Sequence, residues 1–152
     1  MTPRFVHLHL HSEYSLTDST IRIPELVGRC AALGLPAVAV TDTSNLFALV
    51  KFHKAAETAG LKPIAGADLW LSADGSPPSR LTLLCQNREG YLALSRLISR
   101  AFLEGHAGDY VAIEPAWLYR DCRGLIALAG RDSQLGQSLA ARRQDQAERV
   151  LG

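Results

Sequence analysis

The sequence predicts an α/β fold in which parallel strands are connected by helices. Short apolar runs alternate with amphipathic segments along the 152 residues, which is the pattern of βα units. The run Ala37–Val40 is apolar throughout, as expected for a strand covered on both faces. Polar residues follow several of these runs, and in α/β folds sites form at the carboxyl ends of strands. We therefore expect a parallel sheet with a site at one edge.

The first part of the chain contains three predicted strands and two predicted helices. A helix is predicted to begin at Pro24 and end at Gly34, because proline suits a first helical turn and glycine a C-terminal cap. A second helix has Ser44 or Asn45 as its expected N-cap and Gly60 as its C-cap. The predicted elements are a strand at 5–11, a helix from Pro24 to Gly34, the strand Ala37–Val40, a helix at about 46–59 and a strand at 61–71.

The rest of the chain is predicted to add two strands and further helices. An exposed turn is expected at 72–79, which contains Asp74-Gly75 and Pro77-Pro78. The chain stops just after a helix, so we expect the domain to be truncated. The further predicted elements are a strand at 80–85, a helix at 90–102, a loop at 105–108, a short helix from Pro115, a strand at 125–129 and a closing amphipathic helical stretch.

Composition limits the class of protein. Sixteen Lys and Arg balance fifteen Asp and Glu, so a strongly basic face that grips duplex nucleic acid is not predicted. The three cysteines, Cys30, Cys85 and Cys122, form no CxxC pair, which favours buried thiols in a reducing compartment. Because the chain also lacks a signal-peptide-like or membrane-spanning apolar run, the sequence predicts a soluble cytoplasmic protein.

Three histidines at a spacing of two lie in the first predicted strand. In a strand, His7, His9 and His11 would share one face. Imidazole is a ligand for zinc, manganese and iron, and a His-x-His pair on a strand is a recurrent way to hold such ions. The alternative interpretation is a half-buried strand with one polar face.

Carboxylates at the ends of the next strands extend this pattern. Imidazoles and carboxylates together suit divalent ions that activate water and bind phosphate during hydrolysis. The residues therefore favour a metal-dependent phosphoesterase. For Asp18 alone, a turn residue or a helix cap is an equally good interpretation. The candidate ligands are His9, His11, Asp18, Asp42 and Asp68.

The chain resembles the polymerase and histidinol phosphatase (PHP) domain that begins bacterial DNA polymerase III alpha subunits. The resemblance covers nearly the whole chain, and the motifs occur in the same order. The segment 5–15, with its His-x-His pair, and the segment 37–42, which ends in Asp42, are the most specific parts. The other matching segments are 45–46, 60–68, 81–84, Asn87, 90–91 and 124–130.

The resemblance implies a particular fold and metal cleft. Members of the family form a distorted barrel of seven strands with a trinuclear metal cleft, so residues 1–152 would be one PHP domain with an incomplete (β/α)7 barrel of about five strands. His9 and His11 would be the first ligand pair, with Asp18 in the following loop and Asp42 after the second strand. The ion would be Zn²⁺ or Mn²⁺.

Two positions depart from the family pattern. Thr43 occupies the place of the usual histidine, and a hydroxyl is a poor substitute for imidazole. Asp68 stands where glutamate is common, and one methylene fewer retracts the carboxylate by roughly 1.5 Å, whereas metal distances tolerate about 0.2 Å. The resemblance therefore implies a remnant cleft.

Two functional hypotheses remain open at this stage. The first is the amino-terminal PHP domain of a replicative DNA polymerase, which acts mainly as a structural and docking module for the proofreading exonuclease subunit. The parent protein would perform DNA-templated nucleotidyl transfer with Mg²⁺ bound outside this chain. The alternative is an active PHP phosphoesterase, either a 3′–5′ exonuclease or a phosphatase.

Overall fold

A computed structural model describes residues 5–72, 78–107 and 109–151. The chain divides into two compact units, Met1–Ala67 and Asp68–Gly152. Both units combine helices with strands, so the predicted α/β class is confirmed in its coarse form. The predicted turn at 72–79 falls mostly on residues outside the described ranges.

The first unit is built on a short parallel strand pair. Its elements are helix α1 (Ile23–Ala32), strand β1 (Ala37–Val40), helix α2 (Leu49–Thr58) and the first half of strand β2 (Lys62–Leu71). Ala37 lies opposite Lys62, and Val40 lies opposite Ala65. All four residues of β1 are buried, as predicted for a strand that is covered on both faces.

The core of this unit lies between the two helices and β1. From α1, Leu26 and Cys30 are buried, and from α2, Phe52 and Ala56 are completely enclosed. Helix α1 ends before Gly34, whose φ of +67° is the left-handed conformation that favours glycine. The predicted stop signal is therefore confirmed.

The predicted first strand is wrong in detail, because residues 5–11 form an extended segment with a single bridge, His7 to Val38. The Ala39 amide donates to the His7 carbonyl at 2.8 Å, and the Thr41 amide donates to the Leu10 carbonyl at 2.8 Å. The donors, Ala39 and Thr41, are two residues apart, whereas the acceptors, His7 and Leu10, are three residues apart. The segment at 5–11 therefore contains one extra residue relative to its partner, as in a β-bulge. The two-residue alternation of side chains is therefore interrupted within the histidine segment.

The predicted start of the second helix is also wrong. Helix α2 begins at Leu49, and its N-cap residue is Ala48. The side chain of Asn45 accepts from the Phe47 amide at 3.1 Å and donates to the Tyr14 carbonyl at 3.1 Å. Asn45 therefore stabilises the loop that precedes the helix.

The second unit is a mixed sheet with helices. Its strands lie in the order β4-β5-β2-β3-β6. Its elements are the second half of β2, β3 (Ser79–Cys85), α3 (Arg88–Glu104), β4 (His106–Ala107), β5 (Tyr110–Ile113), α4 (Pro115–Arg120), β6 (Leu125–Leu128), α5 (Gln134–Ala140) and α6 (Gln144–Leu151).

The prediction of a parallel sheet is wrong for this unit. Strand β5 is parallel to β2, but β6 is antiparallel to β3 and β4 is antiparallel to β5. Strands β4 and β5 were not predicted, and β4 occupies two of the four residues of the expected loop at 105–108; residue 108 lies outside the described ranges. Apolar periodicity identifies a strand, but it specifies neither the direction nor the partner. The predicted strand at 125–129 and the short helix from Pro115 are confirmed as β6 and α4.

The cysteines differ in their surroundings. Cys30 is buried, Cys85 is half-buried and Cys122 is exposed, so the prediction of buried thiols holds fully only for Cys30. Burial raises the pKa of the Cys85 thiol to about 11. Among the described helices, none combines the length and the apolar composition needed to span a membrane.

Gly90 gives a test of close packing in the second unit. Its amide donates to the Asn87 side chain at 3.0 Å, and a methyl group at Gly90 would collide with the backbone of Gly124. We expect Gly90→Ala to lower the free energy of unfolding by about 2 kcal/mol, measured by urea denaturation. Gly28, in α1, has open space around it, so Gly28→Ala should instead raise it by roughly 0.5–1 kcal/mol. Equal effects of the two substitutions would contradict the described packing.

Candidate functional site

Asp42 is the centre of a buried hydrogen-bond network in the first unit. It lies two residues after the end of β1, and its side chain is almost completely enclosed. Its Oδ1 atom accepts from the Ser12 amide at 2.6 Å and from the Ser15 hydroxyl at 2.8 Å. Its Oδ2 atom accepts from the Ser12 hydroxyl at 2.7 Å. One carboxylate therefore fixes the loop that follows the histidine segment.

Neighbouring polar groups continue this network. The Leu10 amide donates to the Thr41 hydroxyl at 2.9 Å, which joins the histidine segment to the end of β1. The Ser15 hydroxyl in turn accepts from the Thr43 amide at 3.0 Å. Ser12 and Ser15 were not recognised from the sequence, because contacts across about thirty positions leave no periodic signal. Their short, turn-prone side chains were the available hint.

Two of the candidate histidines lie side by side. The ring centroids of His9 and His11 are 5.1 Å apart, with an edge-to-face orientation. His11 Nδ1 lies 3.5 Å from Asp18 Oδ2, and the exposed fractions of these side chains are 11% and 32%. Two imidazoles and a partly exposed carboxylate are a chemically suitable donor set for a zinc or manganese ion.

Thr43 contributes a hydrogen bond where the family resemblance places a histidine. Its hydroxyl donates to Asp18 Oδ2 at 3.1 Å. The same oxygen faces His11. Asp18 therefore links the histidine segment to the loop that follows β1. Thr43 therefore supports the position of Asp18 but does not supply an imidazole ligand.

Asp68 belongs to the second unit, where residues of β3 hold it. The side chain is buried, and its Oδ1 atom accepts a hydrogen bond from the Thr82 hydroxyl. Its Oδ2 atom lies 3.6 Å from Nη1 of Arg80. Arg80 and Thr82 were missed in the sequence, although polar residues at a spacing of two in an apolar strand indicate a shared polar face.

The five candidate ligands thus differ in what they can offer to a metal. His9, His11 and Asp18 are suitable donors in the first unit. Asp42 already accepts three hydrogen bonds, and an ionised carboxylate has about four acceptor positions. Asp68 interacts with a cationic side chain and a hydroxyl. The carboxylates of Asp42 and Asp68 therefore already have hydrogen-bond or charge partners in the structure.

Comparison with known protein families agrees with the sequence motifs. A family model described as "PHP domain" matches residues 7–152. The chain belongs to the PHP domain family. This membership confirms the resemblance inferred from the histidine segment and from the segment that ends in Asp42.

The curated relatives of this PHP chain include large replication proteins. DNA polymerase III subunit alpha of Xylella fastidiosa (strain Temecula1) is 52% identical over 165 aligned residues, covering 99% of this chain and 14% of the relative. The subunit from Pseudomonas aeruginosa is 47% identical, covering 99% of this chain and 13% of the relative. The chain thus spans about a seventh of the length of these relatives.

A solved structure is also similar to this PHP chain. It is an amidohydrolase from Chromobacterium violaceum with bound sulfate and no metal. The two sequences are 22% identical, and the TM-score is 0.48. The match covers 64% of this chain and 36% of the amidohydrolase.

Proposed function

We propose that this chain is the amino-terminal PHP domain of a DNA polymerase III alpha subunit. The relatives in two bacterial species carry that name and match almost the entire chain. In this proposal the parent protein performs DNA-templated nucleotidyl transfer in DNA replication. The Mg²⁺ that it requires binds outside residues 1–152. In this proposal residues 1–152 contribute about five strands of a distorted (β/α)7 barrel.

We further propose that the domain acts mainly as a structural and docking module, with a remnant metal cleft. The observation that carries this proposal is the hydrogen bonding of Asp42, whose two oxygens hold Ser12 and Ser15. The position after Asp42 is Thr43, which donates a hydrogen bond to Asp18. The carboxylates thus act as internal supports of the loops. The proposed docking partner is the proofreading exonuclease subunit of the replicase.

Metal analysis of the full-length protein tests the remnant cleft. We expect less than one zinc or manganese ion per chain and no release of nucleotides from a DNA 3′ end. The variant His9→Ala should leave primer extension unchanged, as should His53→Ala, a control at an exposed histidine of α2. Stoichiometric metal, together with 3′ hydrolysis that is lost in His9→Ala but kept in His53→Ala, would establish the alternative function.

That alternative is a metal-dependent phosphoesterase, acting as a 3′–5′ exonuclease or a phosphatase. The adjacency of His9 and His11, with Asp18 beside His11, is the observation in its favour. A bound Zn²⁺ or Mn²⁺ would activate water for hydrolysis.

The docking role has a separate experiment. Full-length protein and a deletion of residues 1–152 are compared for co-purification with the exonuclease subunit, and primer extension serves as the control for the integrity of the polymerase. Loss of the exonuclease with retention of primer extension is expected. Equal capture by both proteins contradicts the docking proposal.

A further inference from the structure

Four side chains of the second unit form a polar and aromatic group on neighbouring strands. Asp68 and Trp70 are two residues apart on β2, and Arg80 and Thr82 are two residues apart on β3. Residues at this spacing point to the same side of a sheet. Contacts link Asp68 with Thr82 and with Arg80, and Arg80 with Trp70. The four side chains therefore act together.

The guanidinium group of Arg80 is held from two sides. Its Nη1 atom lies 3.6 Å from Asp68 Oδ2, and its central carbon lies 4.7 Å from the centre of the Trp70 ring. The Trp70 ring in turn packs against Tyr110, with ring centroids 4.3 Å apart. A planar, delocalised cation suits this combination of a carboxylate and an aromatic face, which a compact ammonium group fits less well.

Asp68 needs such a cation. Its side chain is 3% exposed, and a buried carboxylate is costly unless charge and hydrogen bonds compensate it. In a metal site that compensation comes from the bound ion. Here one oxygen faces the Arg80 cation, and the other accepts from Thr82. The side chain of Arg80 is 28% exposed, so the cation is less deeply buried than the carboxylate that it faces.

We propose that Arg80 is an internal cation that takes the place of a divalent metal ion at Asp68, so that the sheet around β2 and β3 keeps its structure without metal. The inference rests on the proposed remnant cleft and extends it to a residue outside the candidate ligand set. It assigns to Arg80 a positioning role, because the residue compensates and orients another side chain.

The test uses the full-length protein and local hydrogen–deuterium exchange of the peptides that cover β2 and β3. Arg80→Met should accelerate exchange there by about tenfold or more, because the buried carboxylate loses the cation that faces it. Added Mn²⁺ should slow exchange in Arg80→Met and leave the wild type unchanged. The second variant, Arg80→Met with Asp68→Asn, should regain protection without Mn²⁺ and should not respond to it. Arg80→Lys, which keeps the charge but not the planar group, should be intermediate.

Two results would overturn the inference. One is wild-type exchange rates in Arg80→Met. The other is faster exchange that neither Mn²⁺ nor Asp68→Asn reverses, because the residue would then act only by packing. If Arg80→Met yields no folded protein, a folded double variant supports the inference and an unfolded one overturns it. Stoichiometric metal in the wild type contradicts the remnant cleft itself, so the two failures are distinguishable.

Discussion

Replacing Asp42 with alanine is expected to lower the free energy of unfolding by about 3–5 kcal/mol, the largest effect of any polar substitution in the first unit. The carboxylate accepts from the Ser12 amide and from the hydroxyls of Ser12 and Ser15. Hydrogen bonds to a charged acceptor contribute about 1.5–3 kcal/mol each, and a buried donor left without a partner costs further free energy. Urea denaturation of the 152-residue chain measures the change.

The matched control is Asp109→Ala. Asp109 is exposed, and this substitution removes the same carboxylate group. Its effect should stay within about 0.5 kcal/mol. The loop that Asp42 holds follows His11 directly, so Asp42→Ala should also weaken any Mn²⁺ binding at His11. A stability loss below 1 kcal/mol would show that Asp42 is not the support of this loop and would favour its predicted role as a ligand.

The local elements of the first unit could be predicted because their signals are local. Pro24 and Gly34 mark the ends of α1, and the unbroken apolar run marks β1 at its observed bounds. The histidine segment was different. Strict alternation placed its three histidines on one face, but a strand needs a partner in register, and the extra residue between His7 and Leu10 alters that register.

The pairing of strands in the second unit could not be predicted from the sequence. The apolar run of β6 identified a strand, but its antiparallel partner β3 is about forty residues away. Strands β4 and β5 are short, with two and four residues, and too few positions exist to establish a period. The arrangement depends on long-range contacts, which a single sequence does not display.

The same limitation applies to the candidate site. Asp42 and Asp68 were expected at strand ends, where carboxylates often bind metals, but Asp68 lies inside β2. What each carboxylate does depends on the donors that fold against it: two serines for Asp42, and Arg80 with Thr82 for Asp68. The residue type was therefore predictable, and the partners were not.

The second large effect is expected for Phe52, in the core of the first unit. Phe52 has no exposed surface and is the largest fully buried side chain among the residues that the structure describes. Phe52→Ala should lower the free energy of unfolding by about 3–5 kcal/mol, through lost burial and the cavity that remains. Urea denaturation followed by circular dichroism measures this loss. Domains are commonly stable by only about 5–15 kcal/mol, so much of the margin would disappear.

Phe47 provides the matched control, because it is 72% exposed and loses the same atoms on substitution. Phe47→Ala should change stability by less than about 0.5 kcal/mol. Phe52, Asp42 and Asn45 line the same small cavity, so Phe52→Ala should also increase hydrogen exchange in the loop after β1, whereas Phe47→Ala should not. Similar effects of the two substitutions would mean that the apolar core does not support this loop, and the stability of the site would then depend on the Asp42 network alone.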